Sequence, residues 1–485
     1  MSRYPWECSV SGKFPDASRS PGCPSSTVAI VGGGASGTLS ALHLLRASSD
    51  PNLRVVLFEA DSRRRHLGVA YGTTDERHLL NLRAQMMSAF PDEPDHFVDW
   101  ARRAGRGWKP TDFLPRMAYG NYLRDLVAEF GGHRLIIVDA RVEDVVAHDG
   151  GFEIATDGTN TQARSVVLAY GVGAPHRLTT TTAQSLPDAK WHLQNPWDLG
   201  ALARVPDDAT IVIVGSGLTA VDVALTLLDD APQRRVAMVS RRGDLPRAHL
   251  EDVPAEWVTP IPPGPLTVDG LAELVHDQIA LARRRGVGWR AVLDGLRPQS
   301  QLIWRRLDRN QRRRFLAEYE HDWHVHRNRM APQISARLRA YTETGRFTLH
   351  SGGLRSVEDL GSRCRANLSN TTLESDAIVN CTGPSSDITR TTDPLLRTLL
   401  DRGVIAPDPL GLGVACTERG ELLDSHGDAV PGMYSVGPPT RGTVWEAISV
   451  PEIRGQAARL AEHLTTTLGA SAPVPVGRWM RACSH

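Results

Sequence analysis

The stretch that most limits what this chain can fold into is TVAIVGGGASG, residues 27–37. An apolar run (Val28, Ala29, Ile30, Val31) stops abruptly at glycines 32, 33, 34 and 37, and Ala35 to Ala47 then carries apolar residues at helical spacing. A buried strand, a tight turn and a helix start together make a pyrophosphate site, because free backbone N–H groups and the positive end of the helix dipole meet there. In that geometry Gly32 permits the turn, Gly34 lets the backbone approach the phosphates, and Gly37 lets the helix lie close on the strand. A second apolar run, Arg54 to Phe58, ends at Glu59, 22 residues after Gly37, where an acid accepts hydrogen bonds from a ribose hydroxyl. Taken alone, the turn also suits other α/β proteins, so the neighbouring pattern carries the weight.

The same pattern returns at residues 209–228, ATIVIVGSGLTAVDVALTLL. Strand, Gly215-x-Gly217-x-x-Ala220 and an amphipathic helix follow in the same order, with Leu218 and Thr219 opening the helix. Two such units in one chain say far more than one. The next strand, Val236 to Ser240, ends not in an acid but in Arg241 and Arg242. An acid repels a ribose 2′-phosphate, whereas a guanidinium pair binds it, so the second unit is expected to prefer NADPH to NADH. The alternative, two arginines on a solvated edge, stays open at this point.

Composition bounds the rest. At about 150 residues per domain, 485 residues predict two to four domains. An apolar content of 41% with 43 Gly and 32 Pro is that of a globular protein with many turns. Zero formal net charge argues against a nucleic-acid partner. The six cysteines (8, 23, 364, 381, 416, 483) are scattered without a CxxC, which indicates reduced thiols and neither a zinc site nor a redox pair. No signal peptide and no run of 18 apolar residues is present, so the expectation is a cytoplasmic protein with no membrane partner.

Residues 1–24, rich in Ser, Pro and Gly, read as an N-terminal extension. The irregular stretch 61–90 is too apolar for disorder; it either crosses the face of a cofactor, with Asn81 and Gln85 offering polar contacts, or is a buried connection. Strands are expected at 134–138, 141–148, 151–155 and 165–169, the last stopped by Gly171 and Gly173. The segment from about 268 to 345 reads as a helical insertion with its many arginines mainly on solvated faces. Within it HDWHVHRNR, residues 321–329, lacks the carboxylate–His grouping of a metal site, so no metal is predicted. An anion-contacting surface is the competing reading there, with Arg305, His326 and Arg327 as candidate substrate contacts. The fold class is therefore α/β, with two Rossmann-like dinucleotide-binding domains. The first spans 25–197 and 384–485, and the inserted second domain spans 198–383.

The motifs GVAYGT, HLLNLRAQMMSAF, GSGLTAVD, the segment from Trp323 to Pro332 and VPEIRGQA resemble those of a bacterial FAD/NAD(P)-binding family of two-dinucleotide flavoproteins. Some of its members are N-hydroxylating monooxygenases similar to those that oxidise the amino group of aspartate. The resemblance implies FAD on the first unit, held by Gly32, Gly34, Ser36, Gly37, Glu59, Asn81, Met87, Val142, Gly171 and Gly437. It places NADPH on the second, held by Gly215, Gly217, Leu218, Thr219, Arg241 and Arg242. The helix from about Pro451 to Leu464 would point its N-terminus at the flavin pyrimidine edge. Asn81, Gln85 and Arg441 are the candidate catalytic groups, and the expected partners are molecular oxygen and a small amine or amino acid. The chain departs from the pattern of disulfide reductases of similar architecture in lacking CxxxxC, and it has Tyr170 where related flavoproteins carry Thr. The alternatives are a flavin dehydrogenase or oxidase without oxygen transfer, oxygenation of carbon or sulfur, and a non-catalytic FAD-binding regulatory protein. Assembly into a homo-oligomer through the insertion is a further expectation.

Overall fold

A computed structural model describes residues 26–173 and 175–469; the expected N-terminal extension and Cys8, Cys23 and Cys483 lie outside them. The first sheet has the order Glu421–Leu423, Ala429–Ser435, Ser165–Leu168, Thr27–Val31, Arg54–Phe58, Leu135–Val138. All neighbours are parallel except the pair at Glu421–Leu423. The strand Thr27–Val31 is buried along its whole length. Strands covered on both faces read as unbroken apolar runs, which is why VAIV, VVLF and VVL are legible without alternation. The helix Ala35–Ala47 lies on this sheet, and Leu44 and Leu45 pack with Leu460 and Leu464 of the C-terminal helix Val450–Gly469.

The second sheet is wholly parallel, in the order Phe347–His350, Arg235–Val239, Thr210–Val214, Ala377–Asn380, His192–Leu193. Two expectations need correcting here. His192–Leu193 pairs with Ile378 and Val379, and Leu178, Leu186 and Trp191 pack in the second core, so this stretch belongs with the second sheet although it was read into the first domain. Pro175 and Pro384 face each other as a bridge where the chain passes between the units. The helix Pro332–Glu343, read into the insertion, buries Ile334 and Leu338 against the second core and leads into the parallel strand Phe347–His350. Parallel strands need a crossover helix, and this one supplies it.

Each unit also carries a three-stranded antiparallel meander just before the core strand that pairs with its glycine-turn strand. The first is Val142–His148, Gly151–Thr156, Asn160–Ala163; the second is Leu354–Asp359, Cys364–Leu368, Thr372–Ser375. Of the remaining helices of the insertion, Val268–Arg284, Ser300–Arg306, Arg309–Glu318 and Glu320–Arg327 form a satellite cluster with Leu410, Leu412 and Trp445 of the first unit, and Trp289–Leu296 packs beside Val268–Arg284.

The two units are held together by one face of the helix Leu218–Asp230. Its Asp222, Thr226, Asp229 and Asp230 share that face and meet the loop 75–78 and Arg116. Arg116 pairs with Asp222 at 2.9 Å, Arg77 with Asp230 at 2.7 Å, and His78 Nε2 meets Thr226 Oγ1 at 2.8 Å. Burial pushes the Asp222 carboxyl above the usual carboxylate range, and the Arg116 charge pulls it back. The middle of the long irregular stretch therefore serves as a domain clamp. Removing one member of a mostly buried pair leaves the other charge uncompensated. Arg116→Met is expected to cost about 3–5 kcal/mol in urea unfolding, and the double variant Arg116→Met/Asp222→Leu should regain most of it.

Candidate active site at the junction of two nucleotide turns

The two glycine turns are built alike. Gly32 has φ +109° and Gly215 φ +112°, a region that L side chains rarely adopt. An added Cβ would lie 2.4 Å from the Ala169 oxygen at the first and 2.2 Å from the Cys381 oxygen at the second. In both, the end of the returning strand leaves room only for glycine. Each following helix starts at a glycine in extended conformation, Gly34 and Gly217, with no side chain capping the first turn. Their free N–H groups are therefore available to a phosphate. At Gly37 an added Cβ would meet the Gly32 oxygen at 2.0 Å, which confirms the close helix–strand approach.

Around the first turn the structure collects most of the sequence-predicted residues. The Glu59 side chain lies against Gly33 and accepts a hydrogen bond from the Asp61 N–H at 2.9 Å. Burial raises its carboxyl above the usual range, and a ribose hydroxyl is a donor that would offset this. Gly437, at φ +78°, packs on Ser36, and its N–H donates to Gln456 Oε1 at 2.9 Å. Gln456 Nε2 is buried without a partner, which marks a further donor at this turn that sequence reasoning missed. Gly171 follows the strand Ser165–Leu168 in open space at φ +69°. Val142 is buried in the first core, so only its backbone is free to touch a ligand.

His66 is the second missed residue. It sits at φ +70°, donates its N–H to the Gly33 oxygen at 2.7 Å, and brings Nδ1 to 3.3 Å from Thr38 Oγ1. Burial, with Arg65 and Arg124 adding to it, lowers its imidazole from 6.5 to about 4. Nothing in the sequence pattern announced it, because its position depends on the loop folding back under the first helix.

At the second turn, Leu218 and Thr219 open the helix, and Thr219 lines a cleft of about 90 Å³ with Gly68 and Arg116. The Gly215 N–H donates to the Val239 oxygen at 2.8 Å, so the strand leading to Arg241 and Arg242 ends beside the turn. Both arginines are exposed, and Arg242 contacts Asp322 of the insertion at 3.4 Å.

Asn81, Gln85 and Met87 lie on one loop. Met87 is buried in the first unit's aromatic core, while Asn81 and Gln85 are half-buried with no hydrogen bond to their side-chain amides among the described residues. The Asn81 carbonyl accepts from His249 Nε2 at 3.0 Å. Burial lowers that imidazole to about 3, with the Arg329, Arg83 and Arg327 charges also pressing it down, so it is neutral. Arg83 is buried and donates to four carbonyls, those of Thr111, Leu250, Glu251 and Asp252, which fastens this loop to the segment ahead of the insertion.

The residues assigned to substrate are not brought together. Arg305 is exposed and paired with Glu418, His326 lines a separate apolar cleft, and only Arg327 is buried, against Glu446. The expectation that the insertion's arginines are solvated fails at Arg327 and Arg329, which are 5% and 1% exposed. Arg327 Nη2 lies 3.1 Å from Glu446, and Arg329 Nη2 meets Asp294. Arg327 Nε and Nη2 and Arg329 Nε and Nη1 have no aligned hydrogen-bond partner. Arg441 is committed to the insertion helix Glu320–Arg327, reaching Glu320 Oε1 at 2.6 Å and His324 Nε2 at 3.0 Å.

Comparison with known proteins agrees with this geometry. Residues 29–173 match a family model described as FAD-NAD(P)-binding, and residues 106–280 match one described as pyridine nucleotide-disulphide oxidoreductase. The ornithine N-hydroxylase of Kutzneria sp. 744 aligns with 92% of this chain and 100% of its own, at TM-score 0.60 and 14% identity. L-lysine 6-monooxygenase of Pseudomonas syringae aligns with 91% and 99%, at TM-score 0.63 and 17% identity. The chain has the fold of the two-dinucleotide flavoproteins. That fold also includes the bacillithiol disulfide reductase of Staphylococcus aureus, which covers 91% of this chain and 98% of its own at TM-score 0.55 and 12% identity. No curated protein matches by sequence. FAD and NADPH each carry a pyrophosphate, and the uncapped helix starts at Gly34 and Gly217 each fit one.

Gly32→Ala is expected to yield colourless protein, whereas Gly215→Ala should keep its flavin absorbance and lose NADPH binding in a fluorescence titration. The His66 imidazole stays neutral in the folded protein down to about pH 4, while the unfolded one protonates near 6.5. Its contribution is complete above pH 6.5 and is lost as pH falls toward 4, about 3 kcal/mol in all. His66→Asn, which tolerates the positive φ, should flatten this acid-side fall in Tm.

Proposed function

We propose that this flavoprotein is an FAD-dependent, NADPH-consuming monooxygenase that oxygenates the amine nitrogen of a small molecule bearing a carboxylate, an amino acid being the simplest case. The observation that carries the substrate class is the buried pair Arg327 and Arg329, each beside one acid (Glu446 and Asp294) yet each with two guanidinium nitrogens that make no aligned hydrogen bond. Buried donors without partners are costly, and a carboxylate supplies the acceptors they lack. Reduction of a disulfide is disfavoured by the thiols. Among the described residues Cys364, Cys381 and Cys416 are free and buried, and burial holds Cys364 up at about 12 and Cys416 at about 11. A thiol held protonated in this way is a poor nucleophile.

FAD, reduced by NADPH, supplies the oxygen activation when both are bound. The chain's part is to place and prepare the amine. The Arg327 and Arg329 charges would anchor a carboxylate while disfavouring an ammonium beside them, so the amine is held in its neutral, nucleophilic form. His249, neutral and fixed to the Asn81 carbonyl, orients the loop that presents the amides of Asn81 and Gln85. Arg441, bonded to Glu320 and His324, locks the insertion onto the segment after Gly437 and acts as a positioning residue.

The test is NADPH consumption across amino acids and simple amines, with peroxide measured in parallel. Consumption coupled to an amino acid without peroxide is the expected result. Arg329→Met should raise KM for that substrate roughly 10–100-fold, the worth of a charge-assisted contact, and leave KM for NADPH unchanged. Peroxide equal to NADPH for every compound would instead make the protein an oxidase, and preferred turnover of amines lacking a carboxylate would remove the role given to the two arginines.

A further inference from the structure

The helical insertion lines a second, half-open space that the monooxygenase reading does not use. It is a cavity of about 560 Å³ lined almost wholly by apolar and aromatic side chains. One wall is the stacked pair Trp304 and Trp445, with ring centroids 4.6 Å apart, and Phe315 meets Trp445 edge-on at 5.1 Å. The indole N–H of Trp304 is spent on the Gly442 oxygen at 2.8 Å, and that of Trp323 on Glu446 at 3.2 Å. These two rings therefore offer the cavity faces and edges rather than donors. The roof is the helix Val268–Arg284, whose Leu271, Val275 and Ile279, spaced four apart, look into the space.

The space is a cleft half-open to solvent, with Leu271, Ala272, Val275 and Ile279 of its roof only partly buried, so a ligand can reach it from outside. The roof does not simply settle into it, because it is pinned along its length. Thr267 caps it through the Gly270 N–H at 3.2 Å, Arg314 holds Asp269 through two bonds at 2.6 and 2.7 Å, and Trp257 donates to Gln278 at 3.0 Å. The volume falls within the range of small-molecule sites, 300–1,000 Å³ or so. Polar side chains appear at the cavity only in Asp322, His326, His276, Tyr319 and Ser300. His326 directs Nδ1 to the Asp322 carbonyl at 2.8 Å, which leaves Nε2 as an acceptor.

We infer that this cleft is a binding site for an uncharged, planar aromatic molecule of two or three rings, stacked among the tryptophans. Flat ring walls favour planar rings over a flexible chain, and the lack of a buried charge excludes an ionised head.

The probe is N-phenyl-1-naphthylamine, an uncharged dye that brightens in apolar surroundings, titrated into the FAD-bound protein. Saturable brightening at one dye per chain is expected, with displacement by naphthalene and little displacement by decanoate. Ala272→Trp and Ile279→Trp, which fill the space, should each weaken dye binding at least tenfold, while Glu273→Trp on the exposed side of the same helix should not. Retained flavin absorbance and an unchanged thermal transition verify that each variant is folded. Should the filling variants unfold, displacement by naphthalene from the unaltered protein and a rise in its Tm with naphthalene stand in their place. Absence of saturable binding, equal affinity in the filled variants, or stronger displacement by decanoate than by naphthalene would overturn the assignment.

Discussion

The backbone of Gly32 runs so close to the strand ending at Ala169 that a single added carbon would sit 2.4 Å from a carbonyl oxygen, and Gly215 repeats the approach against Cys381 at 2.2 Å. Both contacts are backbone against backbone, so no rotamer change relieves them. They bring the end of one parallel strand over the turn of its neighbour, and they aim the first N–H groups of the following helix at a common point. Everything that makes the two nucleotide sites usable follows from that approach. Glu59 and Ser36 gather at the first, the strand leading to Arg241 and Arg242 ends beside the second, and Gly437 packs on Ser36 at the first.

Between these sites the chain relies on side chains rather than backbone. The helix that opens at Gly217 turns its acids toward Arg116, Arg77 and His78, so the helix that starts at the second glycine turn is also the element that fixes one unit against the other. A short insertion helix, Glu320–Arg327, does comparable work on the opposite side. It touches Arg242 through Asp322, Arg441 through Glu320 and His324, and Glu446 through Arg327.

The turns and their parallel strands were legible because local sequence determines them. A parallel core strand reads as an apolar run, and a positive φ against a neighbouring carbonyl leaves only glycine. The clamp at Asp222 was not legible, since its partner Arg116 lies about a hundred residues away and an acid on a helix ordinarily reads as solvated. The same prior misplaced Arg329, which is 1% exposed. Arg305, Arg327 and His326 looked equivalent in a basic run, yet the helices carry them to Glu418, Glu446 and the aromatic cavity respectively. Helical phase and docking, rather than residue type, separate them. The second meander was missed because its strands are short and polar on one face.

Arg83 and Arg116 both join the loop side of the molecule to the second unit, but they do so with different kinds of acceptor. Arg116 leans on a carboxylate, which is neutralised once acid protonates it. Arg83 leans on the carbonyls of Leu250, Glu251 and Asp252, which carry no titratable proton. The interface thus rests on one link whose acceptor can take up a proton and on another whose acceptors cannot. On the Arg83 side the loop is therefore located by backbone positions alone, and exchanging the side chains of residues 250–252 would leave those acceptors in place.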